Sequence, residues 1–114
     1  MPTQDQQSNL ANAIAQIRNA QTLLQQQIDI EVDTRTAAIL TNKHIVFGSY
    51  LSSLLQTQNL SDDASFTGMA QALQKQDTAL KAESADIQAL VADVKTAASI
   101  VGYITQALIF VAKL

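Results

Sequence analysis

The sequence predicts an all-α protein, built either as a long antiparallel helical hairpin or as a four-helix bundle with coiled-coil-like packing. The composition favours helices, because Ala, Leu, Gln and Ile are abundant while the 114 residues include three Gly and one Pro, and aromatic residues make up 4%. Apolar residues also recur every three or four positions along most of the chain, which is the period of one helix face. A chain of this length forms one domain.

The first apolar pattern predicts a helix from about residue 9 to residue 28. Residues 1–8 are polar and predict a flexible tail, so the single helical domain is expected to span residues 9–114. Ser8 or Asn9 is placed to cap the first helix. The apolar positions of this helix recur at intervals of three, four and seven: Leu10, Ile14, Ile17, Leu24 and Ile28.

The segment from Ile28 to Thr36 alternates apolar and charged residues with a period of two, which is typical of a half-buried strand. A strand needs a partner, and the only other β-prone run, residues 44–47, is too short to form an independent sheet. The helical interpretation is therefore favoured, with the strand kept as the alternative. In either case we expect a helix break or a shift in register within residues 29–36.

A second helix is predicted from residue 36 to residue 58, running through Gly48 at a cost of about 1 kcal/mol relative to Ala. The main reversal of the chain is expected near residues 59–64, where turn-forming residues cluster. Ser61 is the expected cap of the next helix. Asp62 and Asp63 would then lie at the positive end of its dipole.

From Phe66 to Val111 a series of positions follows spacings of three and four without a slip, and all of its members except Gln76 and Glu83 are apolar. This pattern predicts one very long helix or two helices joined near residues 82–85, and continuity is slightly favoured. A continuous helix implies the hairpin, whereas chain reversals at 29–36 and 82–85 imply the four-helix bundle. Three polar residues at seam positions, Gln21, Gln76 and Glu83, are expected to help set the helix register.

The segment Thr96–Leu114 is the most apolar in the chain and contains a single charge, Lys113. Its apolar arc is wider than one partner helix can cover, and core packing is the favoured explanation for most of it. The remaining candidate interaction surface consists of Tyr103, Ile109, Phe110 and Leu114. Self-association, with a dimer favoured, or binding of a partner helix would cover this surface.

No catalytic, cofactor-binding or metal site is predicted. His44 is the sole histidine, and cysteine is absent. Asp29, Glu31 and Asp33 have the spacing of the first half of a calcium-binding EF-hand loop, but the glycine and the closing glutamate of that loop are missing. The seven basic residues are spread along a chain with a net charge of −3, so nucleic acid is not an expected partner.

These patterns predict a non-enzymatic helical-bundle protein that acts through helix-mediated self-association or partner binding. The alternative is a membrane-active protein that uses its apolar C-terminal helix, since α-helical pore-forming proteins share the layout of a helical hairpin with a hydrophobic segment. The N-terminal residues lack the layout of a secretory signal. The cytoplasm is therefore the default location, with export by another route left open.

Overall fold

A computed structural model describes the whole chain, Met1–Leu114. The chain forms five helices and no strand: α1 (Gln4–Ile30), α2 (Thr34–Gln58), α3 (Asp63–Lys75), α4 (Asp77–Leu90) and α5 (Val94–Ala112). Because α3 and α4 are separated only by Gln76, they form one bent limb. The four limbs run alternately up and down, α1 packs against α2 and α5, and α4 packs against both α2 and α5. The prediction of an all-α helical bundle is confirmed.

Helix α1 begins earlier than the sequence pattern indicated. Thr3 caps it through a reciprocal pair of hydrogen bonds, in which the Gln6 amide N–H donates to the Thr3 hydroxyl at 3.1 Å and the Thr3 N–H donates to Gln6 Oε1 at 2.9 Å. This capping box satisfies two amides that would otherwise lack partners. The predicted start at residue 9, with Ser8 or Asn9 as the cap, is therefore wrong. Most of the segment predicted to be a tail belongs to α1.

The expected break within residues 29–36 is present, and it separates two helices. Glu31 and Asp33 have extended backbones between the end of α1 and the start of α2. The Asp33 carboxylate accepts hydrogen bonds from the amide and the hydroxyl of Thr36, and these bonds hold the pKa of Asp33 below its ordinary value. No strand forms here. Val32, which is 96% exposed, lies at the tip of this helix–helix connection.

Helix α2 runs through Gly48 as predicted, and the chain then connects to α3 through residues 59–62. The cap of α3 is Asp62 and not the expected Ser61. The Asp62 carboxylate accepts a hydrogen bond from the Ser65 amide at 2.8 Å, which lowers the pKa of Asp62. Asp63 then occupies the first turn of α3, where its charge is favourable to the helix dipole.

The prediction of one continuous helix from residue 66 to residue 111 is wrong, and so is the alternative break at 82–85. The chain breaks at Gln76 and again at residues 91–93, while Ser84 lies inside α4. Asp93 caps α5 by accepting hydrogen bonds from two backbone amides, those of residues 95 and 96. The apolar spacing in the sequence continues across the second break, but burial does not follow it there. Val94, which belongs to the series, is exposed, and Val91, which does not, is buried. With these breaks the chain forms a bundle of short limbs, and the long hairpin does not form.

The core consists of 22 buried apolar residues contributed by all the helices and the connection before α5. The side of α5 that the sequence assigned to packing is buried at Ile100, Ile104, Ala107, Leu108 and Val111. Two buried hydroxyl groups, those of Tyr50 and Ser84, have no hydrogen-bond partner. Burial, followed by the nearby negative charge of Asp77, raises the pKa of Tyr50.

The three polar residues expected to set the register have different environments. Glu83 on α4 pairs with Lys43 on α2 at 2.5 Å, and Lys43 also reaches Asp86 at 3.0 Å. Gln76 lies at the break between α3 and α4, and Gln21 lies beside Gly48. The Glu83 and Asp86 carboxylates raise the pKa of Lys43. Of the three, Glu83 is the one that makes a charged contact between two helices of the same bundle.

Candidate functional site

The bundle leaves one side of α5 exposed to solvent. We call it the α5 outer face, and it consists of Ala98, Ser99, Gly102, Thr105, Gln106 and Ile109. Between Lys95 and Lys113 the chain carries no charged residue. Ile109 is 43% exposed, whereas Ile104 on the opposite side of the same helix is fully buried. One helix thus has an apolar core face and an uncharged outer face.

The structure divides the four predicted surface residues into two groups. Ile109 lies within the α5 outer face, while Tyr103, Phe110 and Leu114 are half-buried and pack against the core. The ammonium group of Lys113 lies 5.6 Å from the centre of the Phe110 ring, which is within the range of a cation–π contact. These three residues therefore form an edge shared between core and solvent.

Sequence reasoning missed the small residues that make up most of the α5 outer face. Ala98, Gly102, Thr105 and Ile109 are spaced at four, three and four residues, so they lie on one side of the helix. That spacing, together with the absence of charge, is the signal that could have identified them. The predicted interaction surface consisted of large apolar residues, three of which lie at the edge between core and solvent.

Hydrogen bonds from two other helices hold the C-terminal end of α5 in the bundle. The side-chain amide of Gln6 on α1 donates to the Leu114 carbonyl at 2.9 Å. The side-chain amide of Gln74 on α3 donates to the Val111 carbonyl at 3.2 Å. The bond from Gln6 gives the terminal Leu114 carbonyl a partner, whereas the Val111 carbonyl also accepts from the Leu114 amide at 3.1 Å. The position of Leu114 next to α1 follows from the first bond.

Helix α5 is also the one helix in the structure that is long and apolar enough to cross a lipid bilayer. In the most apolar 18-residue window of α5, 33% of the residues are buried inside the bundle. Core helices of soluble proteins meet the same criteria of length and composition. The geometry therefore gives α5 two chemically reasonable environments, protein and lipid.

The remaining candidates from the sequence are placed apart from α5. His44 is half-exposed on α2. Asp33 caps α2, and Asp29 accepts a hydrogen bond from Gln25 at 2.8 Å. No three His, Cys, Asp or Glu side chains come together in a way that could hold a metal ion. The acidic residues of the connection between α1 and α2 act in local hydrogen bonding.

Comparison of the chain with models of protein families, with curated proteins and with solved structures gives no match.

Proposed function

We propose that this protein is a non-enzymatic helical bundle that acts through helix-mediated association, and that its α5 outer face pairs with a second copy of the chain. The observation that supports this proposal is the uncharged exposed side of α5, with Ile109 43% exposed in it. Exposed helix faces of soluble proteins usually carry charged residues, because charge maintains solvation. A face without charge loses little solvation when a second helix covers it.

The small residues of the α5 outer face suit close helix contact. The distance between two packed helices depends on the side chains at the crossing point, so Gly102 and Ala98 permit a short one. In a two-fold arrangement the same face meets itself, and Ile109 of each copy can pack against the small residues of the other. Inclined helices diverge at their ends, which separates Lys95 and Lys113 from the lysines of the second copy.

A single helix face forms a small interface. Stable protein complexes bury roughly 1,200–2,000 Å² in total, and smaller interfaces are typical of weak or transient association. We therefore expect a dimer that dissociates on dilution.

Replacing Ile109 with Ser is expected to shift the protein toward monomer, because it removes the largest apolar side chain of the α5 outer face. Sedimentation velocity over a range of concentrations measures this shift. Ile45→Ser is the matched control, since Ile45 is 59% exposed on α2 and lies outside the face. We expect Ile45→Ser to sediment as the unchanged protein does. A protein that is monomeric at all concentrations, or equal effects of the two substitutions, would contradict the proposal.

A second candidate function is membrane association through α5, supported by its length and its flanking charges. Residues 96–112 lie between Lys95 and Lys113 and would extend about 26 Å at 1.5 Å per residue, close to the roughly 30 Å hydrocarbon core. Lysines at both ends can reach the polar headgroups.

Flotation of the whole protein with anionic and neutral liposomes separates the two functions. Migration with lipid would support the membrane function, and dye leakage from the vesicles would then test for pores. Absence from the lipid fraction would support burial of α5 by protein. A monomer that also fails to float would leave a partner helix as the occupant of the α5 outer face.

A further inference from the structure

An open groove of about 530 Å³ lies between α1 and α2 and is the largest concavity of the molecule. Seven residues line it, and six of them are polar: Arg18, Gln21, Thr22, Gln25, Gln26, His44 and, as the apolar member, Leu51. The volume falls within the range of small-molecule sites. Such sites are usually apolar, and here the aliphatic stems of the polar side chains, with Leu51, supply most of the groove surface, so a fitting ligand combines polar groups with carbon surface.

The groove offers hydrogen-bond donors that have no partner within the chain. Four of the lining side chains make no hydrogen bond or ion pair within the chain: Arg18, Gln21, Gln26 and His44. On this part of α1, only the side chains of Thr22 and Gln25 make hydrogen bonds. No carboxylate lines the groove, although the chain has ten acidic and seven basic residues. The Asp29 carboxylate accepts a hydrogen bond from Gln25 at 2.8 Å, so a negative charge lies beside the His44 end of the groove. The Arg18 end has an unpaired guanidinium and no lining carboxylate, and it is this end that favours an anionic group.

The contact between Gln21 and Gly48 shows how the two helices that form the groove are aligned. The Gln21 side-chain nitrogen lies 3.4 Å from the position that a Cβ atom at residue 48 would occupy, so Gln21 rests directly on α2. Since α1 and α2 are antiparallel, Arg18 then lies near Leu51, and Gln25 lies near His44. Seven residues of helix separate these two ends of the groove, which is about 10 Å.

We propose that this groove binds a small organic oxyanion, a polyol that carries a phosphate or carboxylate group. Arg18 binds the anionic group, because its planar guanidinium can donate two parallel hydrogen bonds to two oxygens of a phosphate or carboxylate. The amides of Gln21 and Gln26 and the ring of His44 bond hydroxyl oxygens along the rest of the groove. The site is separate from the α5 outer face, and the proposal does not depend on association through α5.

A titration of the ¹⁵N-labelled protein with glucose 6-phosphate, gluconate and glucose tests the site by chemical-shift changes. We expect shifts confined to the groove-facing turns of α1 and α2 with one or both anions, and at least tenfold weaker binding of glucose. A response to glucose 6-phosphate alone identifies a phosphate ligand, and a response to gluconate alone identifies a carboxylate ligand. The absence of localised shifts with both anions overturns the proposal.

Substitutions of two arginines provide the matched control. Arg18→Gln is expected to weaken binding of the responding anion at least tenfold, and Arg18→Lys to weaken it by a smaller factor, because lysine keeps the charge and loses the paired donors. Arg35→Gln removes the same charge from an exposed position outside the groove and should leave the affinity within about twofold. Equal losses in Arg18→Gln and Arg35→Gln would mean that net charge alone attracts the anion, and would overturn the assigned site.

Discussion

Replacing Ile104 with Ala is expected to lower the free energy of unfolding by about 2–5 kcal/mol. Ile104 is fully buried in α5. Truncation removes its contacts and leaves a cavity that the surrounding helices fill only in part, since protein interiors are close-packed. Urea denaturation followed by circular dichroism measures the change.

The same substitution at Ile109 provides the internal comparison. Ile109→Ala removes an equal volume from the same helix, but from a side chain that is 43% exposed. Alanine also favours the helix slightly, so we expect a change in monomer stability within about 0.5 kcal/mol. Equal losses at both positions would mean that α5 is enclosed on every side. That result would remove the α5 outer face as a docking surface.

Replacing Lys43 with Met is expected to destabilise the bundle by about 1–2 kcal/mol. The Lys43 side chain is 15% exposed, and it neutralises the Glu83 carboxylate, which is 26% exposed. Removing one member of a fully buried pair costs about 3–5 kcal/mol, and solvent access to Glu83 and Asp86 reduces that penalty here. Methionine keeps the apolar stem of the lysine, so the loss reports mainly on charge.

Lys81→Met is the matched control for the Lys43 substitution. Lys81 pairs with Asp77 one turn away at 2.8 Å, but its side chain is 66% exposed. Exposed pairs of this kind contribute about 0.3–0.5 kcal/mol, so the effect should be small. If Lys81→Met destabilised the protein as much as Lys43→Met, the ion pair between α2 and α4 would contribute no more to stability than an exposed pair within one helix.

The pH dependence gives an independent test of the contact between Lys43 and Glu83. Because the hydrogen bonds to Glu83 and then Asp86 raise the pKa of Lys43, its contribution is complete below the ordinary lysine value of about 10.4 and is lost as the pH rises through the folded value. The unchanged protein should therefore lose its advantage over Lys43→Met above about pH 10. Tyr50 adds alkaline sensitivity to both proteins, since its pKa is also raised. A difference that stays constant up to pH 12 would contradict the assignment.

Most of the helical content could be predicted from the sequence, because a helix with one buried face has apolar residues at regular intervals of three and four. The apolar period identified α1, α2 and the core side of α5, including Ile100 and Ile104. The break at 29–36 was also predictable, because the stripe shifts there. A helix break that does not change the spacing of the apolar residues cannot be recognised from that spacing. The spacing passes through residues 91–93 unchanged, and the local signal that remains is Asp93, a common N-cap residue, which accepts from the amides of residues 95 and 96.

The candidate site could be predicted only in part, for a related reason. Hydrophobicity identifies which helix is most apolar, but the neighbours of that helix decide which of its residues remain exposed. Phe110 and Tyr103 were assigned to an interaction surface because the apolar arc of α5 is wider than one partner helix can cover. Both are half-buried against the core, while Gly102 and Ala98 face solvent. The groove between α1 and α2 was not predicted, since it depends on how these two helices align side by side.

The break at Gln76 has a consequence for how the bundle moves. It leaves the third limb as two helices of 13 and 14 residues, and α4 has no side-chain cap at its first turn. Helices of this length are marginal in water, so each depends on its own packing contacts. Unwinding can then stop at Gln76, and either half of the limb can open while the other stays closed. Backbone amides in α3 and α4 are thus expected to exchange with solvent as two separate cooperative units.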